Sequence, residues 1–288
     1  MKNDTLSQLD STKISVPVPV QNTQPATPAP TGILRTERLN VMLFILLIGT
    51  LVIVFLFLAK TGKPLTLRRI GGLDAIDEAI GRAAEMGRSI LFVPGSMDVD
   101  RIQTLAALSI LERVGKDSAQ YEVPLDVMCR FPLIMTTAQE TIKQSYLSAG
   151  RPDLYDPSRI RYVTDNQFAY AAAIAGHAVR ERTAANFFIG EFFAESLVIA
   201  EAGNSTGAIQ IAGTAQSHQL PFFLASCDYT LIGEELFAAS AYLSREPILL
   251  GSILGQDWSK AAFVFMILLG ILAAMFGWDG YIQWFNVE

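Results

Sequence analysis

Apolar residues follow two distinct rhythms along this chain. Residues 41–59 read VMLFILLIGTLVIVFLFLA and residues 261–278 read AAFVFMILLGILAAMFGW, neither with a charged side chain. At about 1.5 Å rise per residue the first run covers about 28 Å as a helix, close to the ~30 Å hydrocarbon layer of a bilayer. A soluble helix seldom stays apolar on every face for five turns, so both runs predict transmembrane helices. Trp258 before the second run suits a headgroup interface, as do Trp278, Tyr281, Trp284 and Phe285 at its far end, so residues 279–288 read as an interfacial aromatic tail. Residues 1–38 hold Pro17, Pro19, Pro25, Pro28 and Pro30 among Ser, Thr, Gln and Asn. They carry too few large apolar residues to offset the entropy of ordering, which predicts a disordered tail. A secretory signal peptide is not expected, because the first apolar run begins some forty residues in.

Between the spans, over residues 64–258, short apolar runs alternate with stripes of helical period. Ile70, Leu73, Ile76, Ile80, Ala83 and Met86 recur every three or four residues and end at Gly87, a helix pattern. SILFVPG (89–95) suits a buried strand, and Val99, Ile102, Leu105, Leu108 and Leu111 form the next helical stripe. PLDVMC (124–129), IRYVT (160–164), NFFIG (186–190), AIQIAG (208–213) and PFFLASC (221–227) are the further strand candidates. Helices are predicted over 133–149, from Asn166 to about Arg182, before Gly203, and over 232–243. Strands of five or six residues alternating with helices of ten or more indicate an α/β domain, Rossmann-like, with a mostly parallel sheet and helices on both faces. Helices 166–182 and 232–243 carry AYAAAIAG and FAASAY. Small residues there suit tight packing against the sheet or, alternatively, a subunit interface in a homo-oligomer.

Composition fits this division. The chain is 51% hydrophobic and 17% charged with mean hydropathy +0.33, and most of that excess sits in the two spans. A net charge of −6 and a pI near 5.1 argue against nucleic acid as partner, since such binding needs clustered cations. Arg35 and Arg38 precede the first span, Lys60, Lys63, Arg68 and Arg69 follow it, and Lys260 precedes the second. The positive-inside tendency then places the protein in the cell membrane with its middle domain cytoplasmic and both termini outside. Two thiols, Cys129 and Cys227, make no disulfide framework and are expected reduced there.

In an open parallel sheet, ligands bind beyond the carboxyl ends of the strands. The residues expected on that rim are Pro94, Gly95, Ser96 and Asp98, then Arg130, then Asp165 and Asn166. Gly190 and Glu191, Gly213 and Thr214, and Asp228, Tyr229 and Thr230 follow on later strands. Gly95, Ser96, Arg130, Asp165, Glu191, Thr214 and Asp228 are the candidate ligand-binding set, with Arg130 pairing an anion and the carboxylates accepting from hydroxyls or amines. Helix capping is the competing reading for the Asp, Ser, Thr and Asn residues, and a surface ion pair for Arg130. Glu234 and Glu235 are expected to stabilise the first turn of the final helix.

Several chemistries lack their signatures. No G-x-G-x-x-G follows the first strand, and the TGK at 61–63 lacks the upstream glycine of a phosphate loop. GNSTG (203–207) precedes a strand, so Gly203 reads as a helix stop and Asn204 to Gly207 as a turn. His177 and His218 form no metal spacing with either cysteine, so neither metal nor cofactor is expected. A Cys227, His218, Asp228 grouping is imaginable, but a buried structural cysteine fits better. No catalytic residues are assigned.

LRRIGGLDAIDEAIGRAAEMGRSILFVPG, NQFAYAAAIAG, AESLVIAEAGNSTGAIQIAGTA and CDYTLIGEELFAASAYLSREP together resemble an uncharacterised bacterial membrane-protein family carrying a domain of unknown function. The resemblance covers roughly residues 67–258 and implies a domain flanked by spans, with no activity or catalytic residues to carry over. The expectation is a bilayer-anchored α/β module without catalysis that binds a small polar ligand or serves as an oligomeric membrane scaffold. The alternative is an enzyme of unrecognised type, using Arg130 with Asp165, Glu191 or Asp228 on a small anionic metabolite. A transporter subunit is the weakest reading, because the two runs carry no intramembrane charge.

Overall fold

A computed structural model of the protein describes residues 39–61, 71–244 and 247–278. The expected tail 1–38, the aromatic tail 279–288 and the cations Arg35, Arg38, Lys63, Arg68 and Arg69 lie outside the described residues. Helix α1 (Leu39–Lys60) contains the first apolar run. The α/β domain then runs α2 (Gly71–Met86), β1 (Ile90–Val93), α3 (Ile102–Gln120), β2 (Leu125–Cys129), α4 (Pro132–Ser148) and β3 (Ile160–Tyr162). It continues with α5 (Gln167–Glu181), β4 (Ala185–Ile189), α6 (Glu195–Ser205), β5 (Ile209–Thr214), α7 (Leu220–Ser226), β6 (Tyr229–Ile232) and α8 (Glu234–Ser244). Helix α9 (Pro247–Met275) contains the second apolar run.

The six strands form one parallel sheet in the order β3-β2-β1-β4-β5-β6. Strand order reverses between β1 and β4, the topological switch point of a Rossmann-like sheet. The pleat sends alternate residues to opposite faces. Phe92, Val127, Phe187, Ile189 and Ile211 pack under α2, α3, α4 and α8. Leu91, Val93, Met128, Phe188 and Ala212 pack under α5, α6 and α7. Strands β1, β2, β4 and β5 are buried throughout, which is why they read as apolar runs.

Three sequence expectations change. Residues 221–227 are not the sixth strand: α7 covers Leu220–Ser226, with Pro221 in its first turn, and β6 is the next segment, Tyr229–Ile232. Gly203 does not stop α6 but lies within it, where a Cβ would overlap the Gln210 side chain below. The turn is instead made by Gly207 at φ +68°. The second span is part of a longer helix that starts at Pro247 and ends at Met275, three residues before the expected limit. Trp278 N donates to Ala273 O and Gly277, at φ +68°, to Ala274 O, a Schellman cap that terminates the helix.

Two helices, Val41–Lys60 and Leu250–Met275, are long and apolar enough to cross a membrane. They pack antiparallel, with Phe44 stacked near Phe263 and Phe55 near Trp258. Gly251 and Gly255, four apart on α9, let the backbones approach closely: a Cβ on Gly255 would stand 2.9 Å from Val52 Cα, and one on Gly251 2.8 Å from Phe55 O. The charges within α9, Asp257 and Lys260, pair with one another at 3.6 Å, and Lys260 also reaches Glu234 at the start of α8. The uncharged stretch of α9 therefore begins directly after Lys260, the residue that reaches α8.

Candidate functional site at the carboxyl rim

At the switch point two glycines interlock. Gly95, after β1, has φ +80°, and Gly190, after β4, has φ +134°, both backbone conformations that L side chains rarely adopt. A Cβ on Gly95 would lie 2.8 Å from Glu191 N, and one on Gly190 3.0 Å from Gly95 Cα. Closeness allows Ser96 N to donate to Glu191 O at 2.7 Å and Gly190 N to Gly213 O at 2.8 Å. The crevice where this type of sheet receives a ligand is thus bridged by backbone hydrogen bonds.

Side chains on the rim extend this closure. Arg130 donates from Nη1 to Ser96 O (2.9 Å) and from Nε to Asp165 O (3.0 Å), tying together the loops after β1, β2 and β3. Its guanidinium carbon lies 5.4 Å from the Phe131 ring centroid. Glu191, buried, accepts from Gln216 Nε2 at 2.7 Å. Thr214 Oγ1 donates to Gln103 Oε1 (3.3 Å), which also accepts from Ala215 N (2.8 Å). From the helix face below, Tyr170 sends its hydroxyl to Met128 O (2.7 Å) and Gly95 O (3.3 Å). Ser96 Oγ is fully buried and has no hydrogen-bond partner.

Six of the seven expected site residues therefore share the rim: Gly95, Ser96, Arg130, Asp165, Glu191 and Thr214. Asp228 does not. Because residues 220–226 are helical, Asp228 precedes β6 and lies at the opposite, amino end of the sheet, where its Oδ2 accepts from Gln210 N at 2.8 Å. The same shift separates Cys227 from His218, which stays on the rim side near Phe193. Burial, reinforced by Asp228, pushes the Cys227 thiol up to about 12, and burial alone does the same to Cys129. Neither is a thiolate at neutral pH, the form nucleophilic chemistry requires. Among the rim helices only α5 has the expected side-chain cap, Asn166 Oδ1 accepting from Ala169 N at 3.0 Å. Helices α3, α4, α6 and α7 follow Arg101, Phe131, Ala194 and Gln219, which make none. Glu235 Oε2 accepts from Ile232 N (3.1 Å), the start-of-helix role expected for the acidic pair.

A second polar cluster sits toward the amino end of the sheet. Asp126, the one charged residue in the fully buried strands β1, β2, β4 and β5, accepts from Arg159 Nη1 at 2.9 Å and pairs with His177 Nε2 of α5 at 3.3 Å. His177 Nδ1 lies 3.2 Å from Arg161 Nη2. A guanidinium only donates, so Nδ1 accepts and Nε2 carries the hydrogen given to Asp126. Burial pushes the Asp126 carboxyl up, but the His177 hydrogen bond and the Arg159 charge outweigh it and hold it below the ordinary value. A cavity of about 110 Å³ adjoins Arg159, lined also by Glu122, Leu125, Tyr146 and Asp156. Sequence reasoning missed this cluster, although a lone Asp in PLDVMC and a lone His in an Ala-rich helix were its visible signals. Among the described residues, no group of three His, Cys, Asp or Glu side chains is arranged to hold a metal ion.

A family model described as a domain of unknown function, DUF6754, matches residues 29–285. No curated protein and no solved structure matches the chain.

Proposed function

The chain belongs to this family of the domain of unknown function, and from that premise we propose that the protein is a membrane-anchored α/β scaffold without catalysis. One observation carries the reading: the polar groups at the switch point bond to one another. Arg130 holds two loop carbonyls, Glu191 holds Gln216, and the Gly95–Gly190 contact occupies the ligand crevice. Apart from the Ser96 hydroxyl, which is buried without a partner, the rim groups named above already have partners, and a small polar ligand would have to displace bonds of equal quality. The two apolar helices at the ends of the domain support attachment to a bilayer. The flanking cations support a cytoplasmic middle domain with both termini outside.

The test is a thermal-shift screen of the full chain in detergent against nucleotides, sugar phosphates and inorganic phosphate. A ligand at a hundredfold its Kd adds about 2.7 kcal/mol to the native state. The scaffold reading expects no such gain. A ligand whose stabilisation disappears in Arg130→Ala would overturn it and restore the rim as a binding site.

A further inference from the structure

We propose that helix α5 is the contact through which two copies of this chain associate, an inference that rests on the scaffold reading and names its partner. One outward stripe of α5 is apolar and, among the described residues, uncovered: Phe168 is 65% and Val179 52% exposed, with Ala172 exposed and Ala175 half-buried between them, while the Arg180 side chain flanks the stripe over Gly176. Beside it on the same sheet face, α6 shows Leu197 and Val198, 46% and 45% exposed. Helices on the surface of a folded domain normally present polar residues at such positions. The membrane hairpin does not cover this face, because it joins the domain through α8, whose Leu236 and Ala239 pack on the other side of the sheet.

A second copy is the occupant that the charges favour. The four positions of this stripe, 168, 172, 175 and 179, are symmetric about a point between residues 173 and 174. In an antiparallel pair, Phe168 meets Val179 of the other copy and Ala172 meets Ala175, so large side chains lie at the ends and small ones where the backbones come closest. The same symmetry sets Asp165, exposed just before the helix, against Arg182 of the other copy, exposed just after it. Each two-fold pair thus gains two opposite-charge contacts at the ends of an apolar seam, the self-complementary pattern an isologous interface requires.

Sedimentation equilibrium of the full chain in detergent micelles tests this, with thermal melting to confirm that each variant is folded. The wild type is expected to be a dimer and Phe168→Glu a monomer. Asp165→Arg and Arg182→Asp are each expected to weaken the dimer about tenfold, because either change turns both symmetry-related attractions into repulsions. The double variant is expected to regain most of that loss. A wild-type chain of single-protomer mass, or a dimer unmoved by Phe168→Glu, overturns the proposal. A ligand whose stabilisation disappears in Arg130→Ala would overturn the scaffold reading and leave this mass measurement untouched, so the two failures are distinguishable.

Discussion

At the scale of single residues, Arg130 decides how the rim is understood. A guanidinium engaged with Ser96 O and Asp165 O acts as a clamp between loops, and hydrogen bonds from a charged donor contribute about 1.5–3 kcal/mol each when a partner would otherwise be stranded. Arg130→Ala is therefore expected to lower the melting midpoint of the full chain by several degrees, since about 1 kcal/mol moves a domain of this size by roughly 2–4 °C. Arg130→Lys should not recover the loss, because a single ammonium cannot hold two carbonyls in the fork geometry. An unchanged midpoint in Arg130→Ala would return the residue to the role of a free anion partner. The arginine was visible in the sequence as a rim cation; its carbonyl partners were not, because each lies some 35 positions away and only the fold brings them within 3 Å.

Between elements, Asp126 joins β2 to the start of β3 through Arg159 and to α5 through His177. Its folded carboxyl ionises below the ordinary value, so the native state binds fewer protons than the unfolded chain across that interval. The stability it contributes is fully present above the unfolded carboxyl value near ~4 and is lost as pH falls through the lowered folded value. Asp126→Asn is expected to cost about 1.5–3 kcal/mol at neutral pH, the range for hydrogen bonds to a charged group, since the Arg159 it leaves is partly solvated, and to flatten the acid side of the stability curve. Acid melts of wild type and variant that run parallel would refute the assignment. Most elements were legible because a parallel sheet buries its strands on both faces and its helices on one, which writes period and length into the residues. The failure at 221–227 has a physical cause. A seven-residue apolar segment satisfies strand and short buried helix equally, and only Pro221 in a first-turn position spoke for helix. That one misassignment carried Asp228 to the wrong end of the sheet, so an element error became a site error.

At the scale of the whole molecule, the two apolar helices pack as one hairpin, so a single topology measurement addresses both. A cysteine placed within residues 1–38 is expected to react with an impermeant maleimide in intact cells. Protection of that cysteine, with labelling of the middle domain from outside, would invert the proposed orientation. The strand order has a consequence in time as well as in space. Strand β1 takes β2 as one neighbour early, but its other neighbour is β4, and Ile90 aligns with Ala185, 95 positions on. Throughout synthesis of that interval the most apolar strand of the sheet keeps one edge bare, and under the proposed bilayer anchoring the nascent chain is by then held at the membrane by α1. Nascent chains gathered on one membrane patch would offer such edges to each other, so the pace of translation between β3 and β4 sets how long the half-built sheet is open to aggregation.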